Sequence, residues 1–146
     1  MSVNEYNTIE ELEAHALAAP DVWGWRGDEV PPPYMDDLSL AFTQSEDVIL
    51  PGESGCRLGF GTCVVPRGLC AFLSAGQGLD KVWVPPWWGE GSGQLIDMSL
   101  TYYNLGKEPI RLKKNTRVAL LRFKSFEGCD LDEVAIRTDL SSMDLC

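Results

Sequence analysis

The chain of 146 residues is poor in the groups that build metal and nucleophile sites, with a single histidine, His15, and five cysteines that form no Cys-x-x-Cys pair. A structural zinc site needs four clustered Cys or His ligands, and no such set can be assembled from neighbouring positions, so no metal is expected. The same scarcity leaves any serine or cysteine nucleophile without a base. His15 has no evident partner, and no Gly-x-Ser-x-Gly elbow occurs. Cys56, Cys63, Cys70, Cys129 and Cys146 are odd in number, which suits small buried hydrophobes in a reducing compartment better than a disulfide framework. No apolar run approaches the ~18 residues of a membrane span. The opening stretch MSVNEYNTIEELEAH is polar and acidic, unlike a secretory signal or a transit peptide. These absences predict a chain of the cytoplasm or nucleus, not secreted and with no membrane partner.

Positive charge is also scarce, with 12 Lys and Arg against 22 Asp and Glu. A net charge of −10 excludes a nucleic-acid polymer as partner, because its phosphates would have to be neutralised by bases. The charge is unevenly placed. Residues 1–55 hold twelve acids against Arg26 alone, whereas Lys107, Arg111, Lys113, Lys114, Arg117, Arg122 and Lys124 face only Glu108 within their stretch. Two readings stand: a solvated strand face plus an acidic leader, or a basic patch that docks an anion or the acidic leader of a neighbouring subunit.

What is present in quantity is β pattern. Thr8-Ile9-Glu10-Glu11 has capping-box spacing, and Ile9, Leu12 and Ala16 share one face before Pro20, which predicts one short helix. The segment DVWGWRGDEVPPPYMDD then reads as a loop, its Gly and Pro residues breaking regular structure and Trp23 and Trp25 offering apolar anchors. From Leu38 short apolar runs alternate with turn signals: LSLAFT, DVIL, CRLGFGTCVV, LCAFLSA, KVWV, QLIDMSLTYYN, PIRL and TRVALLRFKSF. Strands at this spacing predict a mostly β sandwich or barrel, with GEGSG as a flexible link and turns at Leu105-Gly106-Lys107 and Lys114-Asn115. The expected organisation is a helix and Trp/Pro-rich loop over 1–32, a β domain over 33–126 and a tail over 127–146.

The run YNLGKEPIRLKKNTRVALLRF, residues 103–123, resembles the late hairpin of dUTPases and dCTP deaminases, an Asn-x-Gly turn, a Pro-led strand, a basic turn and an Arg-[IV]-Ala strand. Pro33-Tyr34-Met35-Asp36-Asp37-Leu38-Ser39-Leu40 is similar to the deaminase Pro-x-Ser-x-Asp-Leu-x-Leu motif, VILPGESG to the next strand and turn, and GTCVVPRGLCAFLS to the strand leading to the family's Arg-Ser motif. The resemblance covers about residues 33–126 and implies a jelly-roll-like, dUTPase-like β fold, a homotrimer with its site between subunits, and a deoxynucleotide ligand.

It also implies that the site is degenerate. The family's Asp-Pro-Gly-aromatic pattern falls on Val84-Pro85-Pro86-Trp87-Trp88-Gly89, which sets Pro85 where a carboxylate should be; the deaminase Glu maps to Thr101. Neither residue can exchange a proton as an acid or base. Ser74 is left without the family's arginine, and Leu120 takes the place of a glutamine. Asp37 is the retained acid of the first motif and reads as support for the fold. No catalytic residue is therefore expected, and the chain reads as a binding or scaffold protein with a protein partner. The enzyme alternative recruits Glu90 or Asp80 and would then need Mg; otherwise no cofactor is implied. Candidate nucleotide contacts are Ser74, Gln77, Gly78, Trp88, Asn104 and Arg117. Trp87 and Trp88, after two prolines and before a glycine-rich stretch, read as interface anchors.

Overall fold

Thr8 starts the first element because its hydroxyl oxygen accepts the backbone N–H of Glu11 at 3.1 Å, as the capping spacing predicts. The computed structural model describes residues 4–36, 39–76 and 79–125. Helix α1 (Ile9–Ala18) buries Leu12 and His15. The expected stripe is present, with Leu12 buried and Ile9 and Ala16 half-buried, and His15 joins it because the imidazole has partners on the inward side. Its Nε2–H donates to the Val22 carbonyl at 2.7 Å, and Nδ1 accepts from the Tyr6 hydroxyl at 2.7 Å. A carbonyl can only accept, which fixes the tautomer.

The strands are β1 (Gly24–Arg26), β2 (Tyr34–Asp36), β3 (Ser39–Thr43), β4 (Val48–Leu50), β5 (Ser54–Val64), β6 (Leu69–Ala75), β7 (Val82–Trp83), β8 (Trp87–Glu90), β9 (Leu95–Asn104), β10 (Ile110–Leu112) and β11 (Arg117–Ser125). They form a first sheet in the order β1-β5-β9-β7, a second in the order β2-β3-β11-β6-β8, and a two-stranded ribbon β10-β4. Every pairing among these named strands is antiparallel. The fold is mostly β with one short helix among the described residues.

Period-2 alternation builds the core. Met98, Leu100 and Tyr102 of β9 point inward with Phe60 and Cys63 of β5, and meet Phe42, Leu73, Ala119 and Leu121 of the second sheet. Tyr102 brings a polar atom into this apolar layer, and its hydroxyl donates to the Val118 carbonyl at 2.6 Å, tying the two sheets together. Burial also pushes its phenol pKa up.

Two sequence expectations are corrected. The segment after Pro20 is not structureless: it contributes β1, paired with Thr62, Cys63 and Val64, and β2, paired with β3. The pairing is tertiary, with Trp25 almost completely buried and its indole N–H donating to the Phe60 carbonyl at 2.8 Å. Nor is the glycine-rich link loose along its length. Gly89 and Glu90 belong to β8, paired with Ala71 and Cys70, and Gly91 N–H donates to the Leu69 carbonyl at 2.8 Å.

Trp25 reaches β5 at a bulge, where the register with β9 shifts between Gly59 and Thr62. Gly61 adopts φ +87, and a Cβ there would collide with the Arg26 carbonyl and the Trp25 indole nitrogen. Gly59, on the other side of the bulge, has open space where a methyl group would sit. Gly61→Ala is therefore expected to lower stability by about 2–3 kcal/mol, while Gly59→Ala stays within about 0.5 kcal/mol of the parent. Urea midpoints of the two variants check this; equal losses would show that the bulge does not depend on Gly61.

Candidate functional site

Alternation along β5 and β9 sends one set of side chains outward from the first sheet. Cross-strand register sets Tyr103 beside Gly55, Thr101 beside Arg57, Ser99 beside Gly59 and Asp97 beside Thr62. The row runs about 20 Å, six residues at strand spacing. At one end Tyr103 lies across Gly55, where a Cβ would come within 2.9 Å of the ring. Trp83 of β7 pairs with Tyr103, their ring centroids 5.3 Å apart and their planes at 31°. Trp83 is 56% exposed and Leu105 67%, an aromatic shelf on the surface. Beside it is a cleft of about 460 Å³ lined by Glu53, Ser54, Gly55, Tyr103, Asn104 and Leu105.

At the other end the bulge opens a groove of about 510 Å³ whose lining includes Arg26, Arg57, Gly59, Thr62, Asp97 and Ser99. Arg57 Nε donates across the strands to Ser99 Oγ at 3.1 Å. The Thr62 hydroxyl donates to Asp97 at 2.6 Å, and Arg26 grips Asp28 through two hydrogen bonds of 2.8 and 3.3 Å. The arrangement offers donors, carboxylates and a flat aromatic surface in one line, which is suited to recognition.

The residues singled out from sequence fall into two groups. Ser74, Trp87, Trp88 and Glu90 lie on β6 and β8, and Arg117 opens β11 next to them, where Gly76 N–H donates to the Val118 carbonyl at 2.9 Å. Asp80 and Asn104 lie instead by β7 and β9, with Asp80 exposed in the turn before Val82. Gln77, Gly78 and Asp37 fall outside the described residues. Trp87 packs on the chain's own core and Trp88 is half-buried opposite Phe72. The largely exposed indole is Trp83, which no local sequence pattern marks.

Asn104 is buried and fully occupied: its amide donates to the Leu50 and Glu108 carbonyls at 3.1 and 2.8 Å and accepts Gly106 N–H at 3.0 Å. It holds the turn that carries Leu105. Thr101 is half-buried in the outward row, and Pro85 lies half-buried between β7 and β8. Burial, and secondarily the Glu90 charge, push the Cys70 thiol pKa up, which opposes a thiolate at this edge.

Two acids of the leader pair with bases further along their own chain. Asp47 meets Arg111 at 2.8 Å and accepts the Lys114 N–H at 2.9 Å, and Arg67 holds Asp21 through bonds of 2.8 and 3.0 Å. Part of the basic stretch over 107–124 is thereby neutralised internally.

No protein-family model matches the chain, and no curated protein matches its sequence significantly. Solved structures do match. A mutant of the dUTPase of Staphylococcus bacteriophage 80alpha superposes with a TM-score of 0.60 at 11% identity, covering 72% of this chain and 90% of the phage chain. Native EIAV dUTPase superposes at 0.55 with 14% identity, covering 71% and 88%. The chain has a dUTPase-like fold. The identities are low, so the match shows shared architecture. Within this dUTPase-like frame the strands expected of the late run follow one another as β9, β10 and β11, but they form no hairpin: β10 pairs with β4, and β11 lies between β3 and β6.

Two outcomes follow from the geometry. Asn104→Ala should lower stability by about 2–3 kcal/mol, since it leaves two carbonyls and an N–H unpaired; an unchanged urea midpoint would contradict its anchoring role. The Lys114 N–H holds the Asp47 carboxyl below its ordinary pKa; desolvation, the next largest effect, opposes it, and the Arg111 and Lys114 charges add to the lowering. A lowered folded pKa gives stability that is present above about pH 4 and lost as pH falls through the folded value. Asp47→Asn should therefore flatten the fall in stability below about pH 4. An unchanged slope in urea titrations across that range would remove Asp47 from the account.

Proposed function

We propose that the chain is a homotrimeric binding or scaffold protein built on the dUTPase-like fold, without dUTPase or dCTP deaminase turnover. The observation that carries this reading is the pair Pro85 and Thr101, at the positions where the resemblance puts the family's carboxylates. A proline ring takes no proton, and a threonine hydroxyl is no acid or base near neutral pH. The candidate substitutes belong to different sheets: Glu90 sits on β8 of the second sheet, and Asp80 precedes β7 of the first.

Use of this fold for control has a counterpart among the matches, since phage dUTPases control transfer of virulence genes by a proto-oncogenic G protein-like mechanism. The phage match also supports a viral or mobile-element source as part of the proposal. The chain's own recognition surface, on this reading, is the outward row of the first sheet.

Purified protein should turn over dUTP and dCTP, with and without magnesium, at well below about 1 s⁻¹, the low end of ordinary enzyme rates. Turnover at or above that rate which Glu90→Gln or Asp80→Asn abolishes would replace this reading with the enzyme one. Sedimentation should give three times the monomer mass.

A further inference from the structure

The strip Pro31-Pro32-Pro33-Tyr34 takes no part in the outward row and leads into β2, the outermost strand of the second sheet. A proline fixes its own φ and pushes the residue before it to extended backbone, so residues 30–33 favour polyproline II, with three residues to the turn. Burial follows that period. Val30 packs on the core and Pro33, one turn on, is buried, whereas Pro31 is half-buried and Pro32 and Tyr34 are exposed. Tyr34 keeps 45% of its surface open although its backbone pairs with Ala41. The fold grips the strip along one line of side chains and presents the rest. We propose that this strip is read by a partner protein with a WW-type groove, in which paired aromatic side chains clasp a proline ring and a neighbouring pocket takes a tyrosine. The inference rests on the reading of the chain as a binding protein and names the kind of partner.

Spacing selects that reader. In a Pro-Pro-x-Tyr pattern the third position goes unread, and here it is Pro33, the one residue of the four that is buried in its own fold. Grooves of the SH3 type read two prolines three positions apart, and the positions three beyond Pro31, Pro32 and Pro33 hold Tyr34, Met35 and Asp36. A tyrosine brings a large apolar ring and a hydroxyl that needs a polar partner, so it fixes the register of the strip in the groove.

Charge gives the second argument. Acids flank the strip in sequence, Asp28 and Glu29 before it and Asp36 and Asp37 after it. A groove of about 550 Å³ beside Pro31 is lined by Glu29 and Glu46, neither of which has an ion pair among the described residues. The partner that fits carries basic side chains at the rim of its aromatic groove, and added salt slows its association.

The third is preorganisation. Before the strip, Val30 packs on the core and the Ser45 hydroxyl donates to the Glu29 carbonyl at 3.0 Å. After it, Tyr34, Met35 and Asp36 pair with β3. Both ends are thus held by the fold, and the prolines between them have little freedom left to lose on binding.

Calorimetric titration of the full chain with a recombinant WW domain that binds Pro-Pro-x-Tyr peptides tests this, with a synthetic peptide of residues 27–38 as reference. The parent should bind with a Kd below about 100 µM and at least as tightly as the peptide. Tyr34→Ala and Pro32→Ala, both at exposed positions, should each weaken binding by about tenfold or more, with circular dichroism confirming that they fold. Trp83→Ser, on the first sheet, should bind as the parent does. Binding by the peptide and none by the folded chain would overturn the proposal by showing that the fold hides the strip. No binding by either would overturn it by showing that these residues are no ligand. Binding that survives Tyr34→Ala, or that Trp83→Ser abolishes, would put the contact elsewhere and overturn it too. Each of these failures leaves the absence of catalysis standing, which the turnover assay judges separately.

Discussion

The insertion of Trp25 into the bulge of β5 is the contact on which the rest of the structure depends. One indole does three things: it fills the core between the sheets, gives its N–H to the Phe60 carbonyl at the bulge, and fixes β1 on the edge of β5. Loss of a large buried aromatic costs about 3–5 kcal/mol in general, a large share of the net stability of a domain this size. Around that anchor the leader is held in layers. The backbone of residues 4–6 exchanges hydrogen bonds with Trp25, and Tyr6 reaches His15 on the helix. The bulge also opens the groove at the far end of the outward row, so the same irregularity serves packing inside and shape outside.

The dUTPase-like frame and the chain's own chemistry then diverge. The frame is maintained by features that serve the fold, such as the Tyr102 hydroxyl joining the sheets and Asn104 satisfying its turn. Chemistry is where the divergence lies: a proline and a threonine stand where the resemblance sets acids, and the exposed aromatic surface lies on the first sheet. A fold alone does not carry an activity, because function resides in the particular side chains grafted on it. On the proposed reading those side chains are recognition groups.

Much of the fold was legible in the sequence, for physical reasons. LSLAFT, CRLGFGTCVV, QLIDMSLTYYN and TRVALLRFKSF became β3, β5, β9 and β11 because strong β formers between turn residues leave little choice. The helix start was legible because a cap is local. The three-residue strands β1 and β2 were not, since glycine and proline argue against strand locally and only tertiary pairing with β5 and β3 decides otherwise. The same holds for Gly89 and Glu90 in β8.

The candidate site was less legible. The outward row depends on the register between β5 and β9, and Trp83 meets Tyr103 only through the pairing of β7 with β9. Nothing near Trp83 in sequence marks it, whereas the doublet Trp87-Trp88 draws notice and Trp87 proves to pack on the core. The leader's acids showed as a surplus, and the partners of two of them, Arg67 for Asp21 and Arg111 for Asp47, could be assigned only once the chain was folded.

The most direct measurement is a titration of the amide spectrum of the protein with a non-hydrolysable dUTP analogue. A scaffold without a working nucleotide site predicts no saturable shifts up to about 1 mM, a level at which binding is worth only about 4 kcal/mol. Saturable, clustered shifts at Ser74, Glu90 and Arg117 would contradict the account by showing that the nucleotide site is retained.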